Sequence, residues 1–321
     1  MKFKEIGWNG FLITVPEEMH LTRHGGDANQ GTFSLESEGY MIELSWYPIP
    51  KKPKPLLSVV ETIIERSKKN AEKKKQKFKV KGKRDTTVYG HNAVYLRLET
   101  MIDEHYYIWY CQETNRIVTS RFVCETFDEK SRNLFKQFLN TLKCHMEGKN
   151  VWSLMKIRFE SPQSFLLREA RIGVGRVHIE LEEKKLSAFT ERVRTIYIDY
   201  FSLANLMFKD TYEYPEKWFE KHYLKDLKKT LKKRRIKFET SGETEVRSHK
   251  AVIKQAIAKT GLTTRGVNIY TNATWYCSEM NRMYSVTTTS GITRPFFLKR
   301  ELKKEEHEEL FNDLLKSFQC H

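Results

Sequence analysis

A short segment around a Trp-Tyr-Cys motif occurs twice in this chain. Residues 109–116 read WYCQETNR and residues 275–282 read WYCSEMNR, so Trp, Tyr, Cys, Glu, Asn and Arg recur in register at a spacing of 166. The ends of the halves also agree, LFKQFLNTLKCH at 134–145 and LFNDLLKSFQCH at 310–321. This period is far above that of solenoid repeats, so we expect two copies of a whole domain. We predict domains over 1–146 and 151–321, joined by a short polar linker.

Each half follows the same predicted order of strands, helix, strands and closing helix. An apolar run from Trp8 to Val15 reads as one strand ending at Pro16, and the turn-rich stretch Thr22 to Gly31 reads as a loop. Apolar residues at helical spacing predict a helix from Leu56 to Lys75, and further strands lead to a closing helix from about Asp128 to Cys144. The predicted class is α+β, two tandemly duplicated domains, each a central antiparallel sheet flanked by helices.

These features resemble the PsbP-like fold in both halves. The resemblance is carried by the early strand ending at Val15-Pro16, the helix before the antiparallel strands, the hairpin from Trp109 to Arg116 and the terminal helix. It implies an antiparallel sheet covered by helices and a role in binding other macromolecules. It supplies no catalytic motif to transfer.

Five cysteines form two matched pairs and one unmatched residue. Cys111 matches Cys277, Cys144 matches Cys320, and Cys124 has no equivalent. Two alternatives stay open, a zinc site built from the adjacent Cys-His pairs or a disulfide in each repeat. Buried thiols are the favoured interpretation, because zinc ligands usually come in pairs at short spacing. We therefore expect no metal and no cofactor.

The repeated hairpin also has a functional and a structural interpretation. A functional one places Glu113, Asn115 and Arg116 in a site. The favoured structural one gives the turn to Asn115 and pairs Arg116 with a carboxylate across the hairpin. His91 and His249 are equivalent and are interpreted as structural, and no sequence motif of a known enzyme class is present. We expect a protein that is not an enzyme.

Charge is concentrated at one place in each repeat. The net charge is +16, and residues 68–84 (the first basic arm) hold ten basic residues against one acid, while residues 221–237 (the second basic arm) hold nine against one. The remainder of the chain sums to −1, so a polyanionic partner is indicated. The residues predicted to bind RNA are Lys68, Lys69, Lys73, Lys74, Lys75, Lys77, Lys79, Lys81, Lys83, Arg84, Lys225, Lys228, Lys229, Lys232, Lys233, Arg234, Arg235 and Lys237.

These charges favour structured RNA over a membrane, since the apolar face of each helix is needed for the core. The leading hypothesis is a ribosome- or RNA-associated protein, with a translation-dormancy or subunit-blocking role. The alternative is a scaffold that recognises an acidic protein. Homodimerisation is left open.

Two smaller expectations remain. Without a signal sequence or a long apolar run, we expect a cytoplasmic protein, and its many Lys and Glu residues hint at a heat-adapted source. An insertion at about Gly291 to Arg300 in the second repeat carries Phe296 and Phe297, which either plug the domain's own edge or contact a partner.

Overall fold

The computed structural model describes residues 2–231, 236–260, 264–295 and 301–320. The chain divides into two compact units, Met1–Met155 and Lys156–His321. Strands hold 54% of the residues and helices 21%, in large antiparallel sheets. The predicted α+β class is therefore wrong, and the protein is mainly β.

Two errors in locating strands account for part of this correction. The predicted loop from Thr22 contains most of strand β3 (His20–Gly26), an edge strand whose side chains are mainly exposed and which therefore shows no apolar alternation. The predicted single strand from Trp8 is two strands, β1 (Phe3–Trp8) and β2 (Phe11–Pro16). Asn9 and Gly10 join them with φ of 52° and 87°, a left-handed turn that reverses the chain.

The first unit is built on a seven-stranded antiparallel sheet with the order β3-β4-β5-β9-β8-β7-β6. Its other strands are β4 (Gly31–Ser37), β5 (Tyr40–Pro48), β6 (Lys79–Val88), β7 (His91–Glu99), β8 (Asp103–Cys111) and β9 (Arg116–Cys124). Helix α1 (Leu56–Lys73) connects β5 to β6, which is the edge strand opposite β3. Strand β1 pairs with β2 and with β10 (Lys149–Leu154) in a second, smaller sheet.

Helices cover both faces of the first large sheet. On one face Val60 of α1 packs with Val94, Leu96, Leu98 and Ile108 of the central strands. On the other face Phe135 of α2 (Glu129–Thr141) packs against aromatic rings of β8 and β9. The Asp128 side chain accepts a hydrogen bond from the Ser131 N–H at 2.8 Å, which caps the start of α2.

The second unit repeats this topology with longer strands. Its large sheet has the order β12-β13-β14-β18-β17-β16-β15, and the closing helix is α6 (Lys304–Ser317). The helical region between β14 and β15 is broken into α3 (Ala204–Met207), α4 (Pro215–Trp218), a π-helical turn (Phe219–Tyr223) and α5 (Leu224–Thr230). The strands are β11 (Ile157–Pro162), β12 (Leu166–Ile172), β13 (Arg176–Ser187), β14 (Thr190–Ser202), β15 (Glu239–Val246), β16 (His249–Thr260), β17 (Thr264–Cys277) and β18 (Arg282–Pro295).

Matched residues occupy matched places in the two units. Trp109 lies in β8 opposite Ala93 of β7, and Trp275 lies in β17 opposite Ala251 of β16. Both hairpins turn at an asparagine in the left-handed region, with φ of 53° at residue 115 and 49° at residue 281. Part of the predicted insertion, residues 291–295, extends strand β18. None of the described helices is long and apolar enough to cross a membrane.

A buried histidine links the closing helix of the second unit to its sheet. His307 of α6 is 1% exposed, with Nε2 2.9 Å from the Thr271 hydroxyl and Nδ1 2.8 Å from the Ser290 hydroxyl. Burial lowers the pKa of His307 to about 4. The pKa of a histidine in the unfolded chain is about 6.5. Between about pH 4 and pH 6.5 the ring is therefore neutral in the folded protein but protonated in the unfolded chain.

We expect His307 to make the second unit acid-sensitive. The pKa of His307 is lower in the folded state than in the unfolded chain, so its contribution to the free energy of unfolding is complete above about pH 6.5. As the pH falls towards about 4 this contribution is lost, by roughly 3 kcal/mol in total. Urea unfolding followed between about pH 7.5 and pH 5 should show a smaller loss of stability for His307→Gln than for the unsubstituted protein. His20→Gln, at an exposed position, is the control, and an unchanged pH slope in H307Q would contradict the assignment.

Candidate functional site

The first basic arm covers the end of α1 and the start of edge strand β6. All ten of its basic residues are exposed. Helix α1 ends at Lys73, and Lys75 adopts the left-handed region with φ of 54°, so the chain turns out of the helix there. Positive charges at this position also complement the negative end of the helix dipole, an effect that contributes about 0.3–1 kcal/mol for each charge.

Most of the first arm is not neutralised by neighbouring acids. Lys81 binds Glu99 and Lys83 binds Glu61, each at 2.7 Å. Lys68 lies 4.0 Å from Glu72, and the guanidinium of Arg84 stacks 5.0 Å from the Tyr95 ring. Within the described part of the chain, six lysines make no ion pair: Lys69, Lys73, Lys74, Lys75, Lys77 and Lys79.

The second basic arm is only partly described. Lys225, Lys229 and Lys237 are exposed and Lys228 is half-buried, and these four make no ion pair with the described residues. The acid of this arm, Asp226, instead binds Arg176 at 3.0 Å. The remaining predicted RNA-binding residues Lys232, Lys233, Arg234 and Arg235 lie outside the described residues, as do Phe296 and Phe297.

Acidic residues near the second arm have a partner of their own. Lys254 is 2% exposed, and its ammonium group lies 3.1 Å from Glu216 and 2.9 Å from Glu220. Buried ammonium groups need such pairing. These two carboxylates therefore form ion pairs with Lys254 and do little to neutralise the charge of the second basic arm.

A polar cleft of about 550 Å³ lies beside the first arm. Arg66 and Lys74 line it, together with Glu104 and Arg121. Arg121 lies 2.7 Å from Glu104, and the Tyr106 hydroxyl donates to the same carboxylate at 2.5 Å. Arg121 and Glu104 thus neutralise each other. Among the described residues that line the cleft, we find no nucleophile with an adjacent base.

A second buried polar network lies in the second unit. The Asp199 carboxylate is 1% exposed, accepts from the Tyr223 hydroxyl at 2.7 Å and lies 3.0 Å from Nδ1 of His178 and from Arg176. Burial would raise the pKa of Asp199, but the bond from His178, the nearby positive charges and the Tyr223 hydroxyl outweigh it and lower the pKa. His178 and Tyr223 are buried, and the partly exposed Arg176 closes the network at its outer side, which indicates a structural role.

The repeated hairpin is structural in a way the sequence did not indicate. Arg116 is 6% exposed and donates to the carbonyl oxygens of Asn9 at 2.8 Å and Ala28 at 2.6 Å. Its guanidinium lies 5.7 Å from the Phe11 ring and 5.9 Å from the Trp46 ring. Burial lowers its pKa to about 10. The prediction that Arg116 pairs with a carboxylate is wrong, because its partners are backbone carbonyls.

Four potential metal ligands meet at the end of this hairpin. His91 begins β7, Cys111 ends β8, and Cys144-His145 follows helix α2. One ligand atom from each of the four lies within 4.8 Å of all the others. In the second unit His249, Cys277 and Cys320 form the corresponding group. We call these the first and second His-Cys clusters.

The first cluster is tightly packed. The Nδ1 atom of His145 is 3.5 Å from Sγ of both Cys111 and Cys144. A hydrogen bond from the Cys144 thiol lowers the pKa of Cys111, and the same bond together with burial raises the pKa of Cys144. The half-exposed Glu113 carboxylate lies at the rim, 3.8 Å from Nε2 of His91.

The sequence had matched these cysteines across the repeats and had joined the adjacent histidines to them in the zinc alternative, but it had not joined His91 or His249. The signal was present, since His91 and His249 hold equivalent positions and the antiparallel register of β7 and β8 brings His91 to the end of the sheet that holds Cys111. Finding the cluster also required knowing where the segment after α2 places Cys144 and His145 against the sheet. Local sequence spacing does not encode that position.

Comparisons with known proteins give little further information. No protein family and no curated protein matches the chain. A solved structure of the immunity protein TplEi of T6SS from Pseudomonas aeruginosa complexed with "L" peptide is 9% identical, with a TM-score of 0.32 over 99% of this chain and 98% of that chain. Its apo structure is 12% identical with a TM-score of 0.29, over 99% and 97%. The PsbP-like resemblance stays a prediction.

Substituting Arg116 tests its structural role. We expect Arg116→Met to lower the free energy of unfolding by about 2–4 kcal/mol, because two buried carbonyl oxygens lose their donor. Lys79→Met, at an exposed position in the same sheet with no ion pair among the described residues, should change stability by less than about 0.5 kcal/mol. Denaturant unfolding of both variants measures the difference. Equal stabilities for the two variants would rule out this role for Arg116.

Proposed function

We propose that this chain is a non-enzymatic protein that binds structured RNA through the phosphate groups contacted by its two basic arms. The observation that carries this proposal is the set of six exposed lysines in the first arm that make no ion pair with described residues. Uncompensated ammonium groups at one place attract a polyanion, and they release its counterions on contact. The second arm adds further exposed lysines at the corresponding place in its repeat.

Two structural roles explain some of these lysines. Charges at the end of α1 favour the helix, and lysines on the edge strand β6 discourage pairing with another sheet. The ion-paired Lys81 and Lys83 fit the second role. Neither role requires Lys69 or Lys77, and neither explains why a second arm is nearly as basic. The excess over what the fold uses favours a partner.

The packing of α1 argues against a membrane surface. A helix that lies on a membrane presents its apolar face to the lipid. Here Leu56, Val59, Ile63 and Ile64 of α1 pack against the core of the first unit. The apolar face of α1 is thus occupied by the core and is not available to lipid, which suits phosphates in water better than a membrane.

The class of RNA is part of the proposal. Contacts made by flexible lysines to phosphates carry little sequence information, so shape and charge density of the RNA should decide binding. Ribosomal subunits are large structured RNAs that meet both requirements. We therefore propose a ribosomal subunit as the target, with a role in blocking or tethering idle subunits.

Charge reversal in the first arm tests the proposal. The variant Lys73→Glu, Lys74→Glu, Lys75→Glu should bind RNA more weakly across sequences, with the slope of log affinity against log salt smaller by about 0.7–0.9 for each phosphate that the arm no longer neutralises. Co-sedimentation with ribosomal subunits, and titration of a structured RNA at several salt concentrations, measure this. Stability should change by no more than about 0.5 kcal/mol for each substitution, because these side chains are exposed.

A matched control separates position from total charge. Lys51, Lys52 and Lys54 are three exposed lysines of the same unit outside the arm, and their reversal changes the net charge by the same amount. RNA binding should survive in this control and fall in the arm variant. Reversal of Lys225, Lys229 and Lys237 should reproduce the arm effect. Binding that persists in both arm variants at low and moderate salt would refute the proposal, and co-sedimentation that resists nuclease would favour an acidic protein partner.

A further inference from the structure

We propose that each repeat binds one structural zinc ion, held in the first unit by His91, Cys111, Cys144 and His145. Two thiolates and two imidazoles are a common ligand set for structural zinc, which prefers tetrahedral coordination by sulfur and nitrogen. Harder cations such as Mg²⁺ and Ca²⁺ require oxygen ligands, which these four residues do not supply. The expectation of no metal came from adjacent Cys-His pairs in the sequence, whereas the fold brings His91 and Cys111 to each other and to that pair.

The spacing of the ligand atoms fits a tetrahedral zinc ion. With Zn–S of about 2.3 Å and Zn–N of about 2.0–2.1 Å, a tetrahedral angle places sulfur and nitrogen about 3.5 Å apart. Nδ1 of His145 is 3.5 Å from Sγ of Cys111 and 3.5 Å from Sγ of Cys144. All four ligand atoms fall within 4.8 Å of one another. Only small side-chain movements are needed to close the site.

His91 provides a second observation that points to a ligand. Its Nε2 atom is buried and makes no hydrogen bond within the described residues, since the nearby Glu113 carboxylate stays 3.8 Å away, and the side chain is only 11% exposed. A buried ring nitrogen without a partner is costly, by about 1–3 kcal/mol, unless something binds it. Coordination of a metal by this nitrogen removes that cost. Both cysteines are reduced and fully buried, as closed structural sites require.

The second unit places the same residue types at the same structural positions. His249 begins β16, Cys277 ends β17, and Cys320 follows α6, just as His91, Cys111 and Cys144 do in the first unit. In sequence, His321 follows Cys320 as His145 follows Cys144. Three ligands of the second set lie together among the described residues, so we assign a stoichiometry of two.

The coordination step is balanced without a redox change. Two thiols lose their protons to solvent, two neutral imidazoles each donate an electron pair through one nitrogen, and the two thiolate charges balance the two positive charges of the Zn²⁺ ion. The bonds tie the end of the closing helix to the last residue of β8 and the first of β7. Because four protein ligands fill the coordination sphere, the ion holds the fold and has no position for a substrate.

Metal content tests the assignment directly. Untagged protein, prepared under reducing conditions without chelators and measured by mass spectrometry for metals, should contain two zinc ions for each chain. Cys111→Ser and Cys277→Ser should each contain one. The matched control is Cys124→Ser, a buried thiol outside both clusters, which should keep two.

A measurement on the unsubstituted protein avoids reliance on variants that fold poorly. After zinc is replaced by Co²⁺, tetrahedral thiolate coordination should give intense visible d–d bands and a near-ultraviolet charge-transfer band, and the variants should lose about half of this intensity. Zinc-free protein without these bands would overturn the proposal. So would a mass decrease showing a disulfide in each repeat, or C111S that retains both ions. One ion that is lost in C111S and kept in C277S would overturn the second site alone.

Discussion

The fold depends on burying both faces of each seven-stranded sheet. Antiparallel sheets often leave one face to solvent, but seven of the nine side chains of β8 are buried, on both faces. The first unit therefore needs two separate covers, and the chain supplies them before β6 and after β9 as α1 and α2. The segment that follows the closing helix of each unit packs back into the core, where Cys144 and Cys320 are fully buried.

This requirement explains which parts of the fold were readable from sequence. The spacing of Val60, Ile63 and Ile64 predicts α1 because one face of that helix must be apolar, and Asn115 and Asn281 predict the hairpin turns because few residues adopt positive φ there. Strand β3 was missed because an edge strand exposed on both sides carries no alternation. The predicted α+β class was wrong, since the added strands outweigh the helices.

Interactions between distant residues were beyond a local reading. The Arg116 guanidinium binds a carbonyl 88 positions away, and backbone acceptors leave no mark on the sequence. The first His-Cys cluster joins residues 91 and 145, whose approach depends on the register of β7 and β8 and on where α2 ends. Repetition was the one signal available, because residues kept in both copies identify positions that the fold or a ligand requires.

The start of β6, where the first basic arm enters the sheet, and the His-Cys cluster of the first unit lie at opposite ends of the same pair of strands. Lys79 pairs with Glu99 at one end of β7, while His91 begins the other end, about 27 Å away at 3.3–3.4 Å per residue. At that distance surface charges are screened from each other in physiological salt. A metal ion at the cluster and phosphates at the arm would therefore influence each other only through the stability of the sheet. We therefore expect metal removal to leave RNA binding unchanged as long as the protein stays folded. Weaker RNA binding by a folded, metal-free protein would show a coupling between the two sites that their separation does not provide.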